Sequence, residues 1–457
     1  MITKKPSFMV FPAKPTPNVR LPLSECDQRH AWTHTPTIYF YKPSNNYPIS
    51  SAIDTVAEAL SRALVLHYPV AGRLHGIQGG RFELDCNALG AQLSEAICEA
   101  DMVEKYGDFT PTREMHLELF PSIDYNTTPI EMLPLFLVQL TKFRCGGLCV
   151  GTLTNHTLFD GWGAINFINS WASFARGEEK LNVKPCYDRR FLQGNGSAPK
   201  FRPIECDPLP LMNGCSDVKA EARMETKVAM LKLPRNLVEA IKKKSNHQGQ
   251  NGGRRPYSTF EAITAHVWRC ACKARAHDSD QPTMIRFMID IRNKLQPPLP
   301  PGYFGCSALP TVTPTCFSGD IVSRPLSYAA SKIREGIERM TNEYIRSTLD
   351  FLKSQGDMSE LRTSFHTAGN NRGFFLGNPN LSCTSLTQFP VYDADFGWGK
   401  PIHMGPGLVT SDGKVSILPA GPNGDGSLKV IVGLQSRHAH SFKIFFYRDL
   451  IQEDAKM

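Results

Sequence analysis

Two short motifs in this chain have residue types and spacing suited to chemistry. His156-Thr157-Leu158-Phe159-Asp160-Gly161 offers a base, and Asp395-Phe396-Gly397-Trp398-Gly399 offers a glycine-flanked aromatic turn. An unperturbed imidazole titrates near 6.5, so much of it is neutral at physiological pH and can accept a proton from an attacking group. A carboxylate four residues on can orient that ring, or it can cap the helix that follows. The spacing alone decides nothing. A satisfied loop histidine, with Asp160 as a plain N-cap, is the competing reading.

The surrounding pattern says what must hold His156. Leu148, Val150, Thr152 and Thr154 alternate with other residues, which predicts a strand. Ala164, Phe167, Ile168, Trp171 and Phe174 follow at helical spacing, and Gly177 can end that helix. His156 therefore falls where a strand hands over to a helix, a place where scaffolds often carry catalytic groups. Leu135 to Phe143 and Leu148 to Thr154 read as a hairpin turned at Arg144-Cys145-Gly146-Gly147. Thr37 to Tyr41 and Arg81 to Leu84 read as further strands, around an amphipathic helix marked by Ile53, Val56, Ala57, Leu60 and Leu64. Periodicity fades between Glu178 and Ala222, where proline, glycine and asparagine accumulate. This divides the chain into an N-terminal unit over 1–180, a crossover over 181–222 and a C-terminal unit over 223–457. In the last, Lys227 to Leu233, Met284 to Asp290 and Leu428 to Leu434 read as strands. Ser258-Thr259-Phe260-Glu261 is a capping-box pattern opening a helix. Leu326, Ala330, Ile333, Ile337, Met340 and Tyr344 step by threes and fours, as one amphipathic helix would. The fold class is α/β with two units.

Composition narrows the function. The 457 residues can bury two cores, and 41% apolar with 21% charged residues is ordinary globular usage. The longest apolar run, near Met132 to Leu140, is too short to span a bilayer, and no signal-peptide core follows the N-terminus. The 13 cysteines are scattered, and Cys270 and Cys272 have no second pair to complete a zinc site, so reduced buried thiols are expected. Asn155-His156-Thr157 is a glycosylation triplet on top of the candidate base, which also favours the cytoplasm. The net charge of +8 is dispersed, without an aromatic-basic array. It suits a polyanionic small molecule, or simply a solvated surface.

Taken together and in this order, the two motifs resemble the signature of the plant BAHD acyltransferases, which move an acyl group from coenzyme A to an alcohol or amine. The resemblance extends to His34 through Tyr41, Tyr68 through Leu74, His266-Val267-Trp268-Arg269 and the run from Pro297 through Gly305. Within that family the chain looks most similar to spermidine hydroxycinnamoyl transferases, and next to the shikimate and quinate O-hydroxycinnamoyltransferases. The resemblance implies two chloramphenicol-acetyltransferase-like domains, each a mixed sheet with flanking helices, and an active-site channel between them. It implies acyl-CoA as co-substrate with no permanently bound cofactor or metal, and a monomer without nucleic-acid or membrane partners.

Residue roles follow from the resemblance. His156 is the general base and the acceptor attacks the thioester directly, without an acyl-enzyme; no Gly-x-Ser-x-Gly elbow is present. Asp160 is expected to point away and pair with Arg292. Thr384 is the candidate donor to the tetrahedral oxyanion. Leu386 stands where relatives often carry Trp. Asp395, Gly397, Trp398 and Gly399 are expected to be structural. Coenzyme A phosphates are expected at the helix start of Ser258 and Thr259, near Lys242, Arg254 and Arg255, although a capping box already uses donors there. Thr35 is a candidate lining residue. Overall likeness favours an amine of a polyamine such as spermidine as acceptor, while Arg372 offers a clamp for an acid such as shikimate or quinate. A relative that binds ligand without turnover is the non-enzymatic alternative.

Overall fold

The computed structural model describes residues 1–29, 34–43, 51–181, 183–214, 218–246, 255–359, 361–362 and 377–451. Two mixed sheets dominate it. The first contains, in order, Ile2–Lys4, Ala91–Cys98, Phe136–Phe143, Leu148–Asn155, His34–Tyr41 and His403–Pro406, with Phe8–Val10 also paired to Ala91–Cys98. The second contains Thr226–Leu233, Leu428–Gln435, Lys414–Pro419, Leu381–Ser385, Ile285–Asp290 and Ala308–Val312.

Local sequence explains the elements around His156. Phe136–Phe143 and Leu148–Asn155 pair antiparallel through the Arg144–Gly147 turn, where Gly146 takes a φ of +83°. All eight residues of Leu148–Asn155 are buried, because helices cover both faces: Leu148 and Val150 pack with Ala52–Leu66 and Gly161–Ala175, and Cys149 and Leu153 with Met102, Met115 and Leu119. The helix Gly161–Ala175 buries Ile165, Phe167, Ile168, Trp171 and Phe174. Each large apolar side chain so buried contributes about 1.5–3 kcal/mol. Trp171 Nε1 also donates to the carbonyl of Val56, 2.8 Å away, which ties this helix to Ala52–Leu66.

The second half follows the same logic. The capping box at Ser258 and Glu261 is formed, and the helix runs Thr259–Arg275. The single helix expected from Leu326 to Tyr344 is two, Leu326–Arg339 and Asn342–Lys353. Met340 leaves the helical region, and Thr341 caps the second helix by accepting from Tyr344 N. The two helices serve different clusters: Leu326, Ala330 and Ile333 pack in the core of the second sheet, while Met340, Ile345 and Leu349 pack with Ile291, Leu295 and Leu309. In the crossover, Arg189 is buried and lies 3.1 Å from Asp27, also buried, which fastens this stretch to the N-terminal unit. None of the described helices is long and apolar enough to cross a membrane. The described cysteines are free thiols, most of them buried.

One segment departs from a simple division of the chain. The Asp395–Gly399 motif, expected in the C-terminal unit, packs into the first core. Asp395 Oδ1 accepts from the N–H of Gly397 and Gly399, at 2.8 and 2.9 Å, and both glycines take positive φ (+99° and +91°). This turn drives Phe396 and Trp398 inward, where Phe396 meets Trp171 edge-on at 4.6 Å and Trp398 meets Tyr41 at 5.3 Å. Tyr41 Oη donates to the carbonyl of Ala394 at 2.7 Å. His403–Pro406 then joins the first sheet beside His34–Tyr41. A segment of the C-terminal half therefore completes the N-terminal sheet.

Candidate active site

His156 follows Asn155, the last ladder residue of its strand. Asn155 Oδ1 accepts from Thr157 N at 3.0 Å, and Leu158 N donates to the Asn155 carbonyl at 3.2 Å. That tight turn buries Thr157, Leu158 and Phe159 and leaves the His156 ring facing a cavity of about 280 Å³ between the two sheets. The exposed part of the ring looks into this cavity, deep in the molecule. Burial holds the imidazole below its ordinary value; its own backbone and Asp160 raise it, while Lys414 and Arg29 lower it further. The neutral, proton-accepting form is the resting one. Several other histidines are core residues instead. His34, for example, bonds Tyr125 Oη and the carbonyl of Pro134, at 2.8 and 2.9 Å.

The Asp160 carboxylate is turned to the helix start and to Arg292. It caps the helix through Gly163 N at 3.0 Å and receives Arg292 Nη1 and Nη2 at 2.8 and 3.0 Å. Ser307 adds its N–H and hydroxyl, both at 3.0 Å. Burial acts to raise this carboxyl, but the Arg292 charge and these donors hold it below the usual range. Gly163 is needed for the close turn, since a Cβ there would lie 2.7 Å from Phe159 Cβ.

The first sheet contributes Thr35, Thr37, Tyr39 and Thr154 to the cavity, and the returning segment contributes Met404, Gly405 and Pro406. Thr35 Oγ1 and Tyr39 Oη are buried without a hydrogen-bond partner among the described residues. Thr384 lies on the facing sheet, opposite Ser416 on the next strand, and both line the cavity. Leu386 does too. Beside it Trp162 and Phe389 meet edge to face at 5.3 Å and supply an aromatic wall. Trp162 was not among the residues singled out from sequence, although it stands directly after the Asp160-Gly161 pair. Arg286, Ser382 and Lys414 were missed as well, because their meeting depends on strand order.

The expected coenzyme A residues lie elsewhere. Lys242 Nζ is 3.2 Å from Glu239, and Arg255 Nη1 is 3.1 Å from Glu261. Ser258 N donates to Glu261 at 2.6 Å, so the capping box occupies part of that helix start, which continues at Thr259. Burial acts to raise Glu261, but Arg334, Ser258 and Arg255 hold it down at about 2. None of these residues lines the cavity. Arg254 and Arg372 lie outside the described residues.

The family model described as "Transferase family" matches residues 1–449. The chain belongs to the BAHD acyltransferase family. It is an acyl-transferring enzyme with acyl-CoA as co-substrate. This BAHD acyltransferase is 44% identical over 455 residues to hydroxycinnamoyl-CoA:piscidic acid hydroxycinnamoyltransferase of Actaea racemosa, covering 98% of this chain and 100% of that one. It is 40% identical over 450 residues to shikimate O-hydroxycinnamoyltransferase of Nicotiana tabacum, covering 98% and 99%. Its fold is similar to that of vinorine synthase, with a TM-score of 0.71, 19% identity and 96% of each chain covered. The similarity to that structure concerns the two-sheet α/β architecture.

Proposed function

We propose that this enzyme transfers a hydroxycinnamoyl group from coenzyme A to a hydroxyl of an acidic acceptor. The observation that carries the reading is the pairing, in one enclosed cavity, of a neutral His156 with a cationic far wall at Arg286 and Lys414. The names of the two relatives, with piscidic acid and shikimate as acceptors, point the same way. A polyamine, cationic near neutral pH, would meet these positive charges, while the two acids in the lining, Asp160 and Asp290, are already turned to Arg292. The polyamine acceptor that overall sequence likeness favours is therefore the weaker reading.

The chemistry runs through named groups. His156 removes the acceptor proton as its oxygen attacks the thioester carbonyl. The Thr384 hydroxyl donates to the resulting oxyanion. Collapse expels the coenzyme A thiolate, and the imidazolium returns the proton to the departing sulfur. Trp162 and Phe389 offer a flat apolar surface for the acyl ring. The phosphates of coenzyme A fall to the exposed Arg255, the half-buried Lys242 and the helix start at Ser258 and Thr259.

The test supplies p-coumaroyl-CoA with shikimate, tartrate or spermidine, and follows thiol release and product mass. An ester with an acid is the expected product. An amide with spermidine and no ester would overturn the reading.

A further inference from the structure

The face that the second sheet turns to the cavity is laid out in rows. Lys414 lies opposite Ser382, and Ser416 opposite Thr384, on two parallel neighbouring strands. Leu418 and Leu386 follow at the same two-residue step, and Leu386 N donates to the Ile417 carbonyl at 2.9 Å just past the strand end. Side chains two residues apart share a face, so the rows follow one another at about 6–7 Å. The first row carries a cation, the second two hydroxyls, and the third is apolar.

The apolar row lies against the turn that carries the base. A Cβ on Gly161, the first residue of the helix after His156, would lie 3.5 Å from Leu386 and 3.3 Å from Phe389. With the acyl ring at this end, beside Trp162 and Phe389, and the acid of the acceptor at the Lys414 end, the reacting carbonyl falls at the hydroxyl row between them.

The two hydroxyls of that row are open to a ligand. Thr384 and Ser416 are half-buried, and both line the cavity. Their backbones belong to the sheet ladder, and neither hydroxyl is taken by a protein group among the described residues. Neighbouring hydroxyls are taken. Thr152 and Thr154 donate to the carbonyls of Thr37 and Thr35, at 3.2 and 3.3 Å, and Ser385 Oγ lies 3.0 Å from Thr387 Oγ1. Strands about 4.8 Å apart suit two hydroxyls on either side of one oxygen, each at an O–H···O distance of about 2.5–3.0 Å. An oxyanion has more than one lone pair to satisfy, and each donor already aimed at it lowers the barrier.

We infer that Ser416 is a catalytic residue, its hydroxyl donating beside that of Thr384 to the oxyanion of the tetrahedral intermediate. As the acceptor oxygen bonds to the carbonyl carbon, the π pair moves onto the carbonyl oxygen, and two O–H groups rather than one meet that charge. When the pair returns, the carbon–sulfur bond breaks and the thiolate leaves, with both hydroxyls unchanged. The inference rests on the direct-transfer reading above and adds a second donor to it.

The experiment follows thiol release and product from p-coumaroyl-CoA with whichever of shikimate, tartrate and spermidine the wild type acylates, or with water where it acylates none. It compares wild type, Ser416→Ala and Ser416→Thr. Ser416→Ala should lower kcat about tenfold to a hundredfold, the scale of a hydrogen bond to a charged group, with KM for both substrates within about twofold of wild type. Tm should stay within about two degrees, since no protein partner is lost, and the acid limb of the pH profile should not move, since His156 is untouched. Ser416→Thr keeps the hydroxyl and should keep most of the turnover. An unchanged kcat in Ser416→Ala, or a loss confined to the acceptor KM, overturns the inference. An acid ester formed at the wild-type kcat by Ser416→Ala would sink the second donor and leave the acidic-acceptor reading intact. An amide with spermidine whose formation falls in Ser416→Ala would uphold the donor and remove that reading.

Discussion

Replacing Arg292 by Met should damage stability more than chemistry. The Asp160 carboxylate is 4% exposed, and the Arg292 side chain is 12% exposed. The pair is joined by two N–H contacts at 2.8 and 3.0 Å. Removing one partner of such a pair costs about 3–5 kcal/mol. Gly163 and Ser307 still donate to Asp160 in the variant, so the lower end applies, at about 3 kcal/mol. For a cooperative unit of roughly 200 residues that lowers Tm by about 6–12 °C. Asp160→Leu combined with Arg292→Met should lose less than the sum of the single losses, because no buried charge is stranded. The pH dependence has a definite sign. The folded carboxyl lies below its unfolded value near 3.9, so its contribution is present above that value and disappears as pH falls through the folded one. The gap between wild type and Arg292→Met should therefore close in strong acid. Thermal unfolding and kcat, measured well below either Tm, form the assay. If Asp160→Asn left Tm unchanged but cut kcat a thousandfold, Asp160 would be acting on the imidazole and the structural reasoning would be refuted.

Three further outcomes are expected. His156→Ala should lower turnover by about 10²–10⁴ with Tm within a degree or two of wild type; thiol release at the wild-type rate would end the base assignment. Because burial lowers the imidazole, kcat should hold as pH drops to 6.5 and fall only in more acid buffer, so a midpoint above 6.5 in the pH profile would contradict the site electrostatics. Phe396→Ala removes a ring that is 0% exposed and should cost about 3–5 kcal/mol, read as a lowered urea midpoint, while an unchanged midpoint would show that the returning segment is peripheral.

Much of the site's immediate scaffold is legible in the sequence, because it is local. Alternation up to Thr154 and helical spacing from Ala164 bracket a turn, and the structure has a strand to Asn155 and a helix from Gly161. Gly177 adopts a φ of +90° just beyond that helix, as a C-terminal glycine should. The capping box at Ser258 is equally local. What periodicity cannot carry is which strands become neighbours. Arg286 and Lys414 are far apart in sequence, and only the order of strands in the second sheet brings them into one row with Ser382. The break at Met340 escaped for a different reason, since a capping threonine changes the backbone without disturbing the apolar spacing. The spatial home of Asp395–Gly399 likewise depends on a long-range return.

That return also bears on how the protein is made. The outer neighbour of His34–Tyr41 is His403–Pro406, and the ribosome delivers it more than 360 residues after Tyr41. The sheet can form once Asn155 has been made, 248 residues before His403, so at typical elongation speeds it waits roughly 12–50 s with one edge open and the seats of Phe396 and Trp398 empty. An open edge of that kind invites pairing with another nascent chain. A chimera cut at the crossover between two such enzymes would unite a sheet with a foreign edge strand and foreign aromatic plugs. Recombination of acceptor specificity should therefore move residues 389–407 together with the N-terminal half, as one inheritance unit.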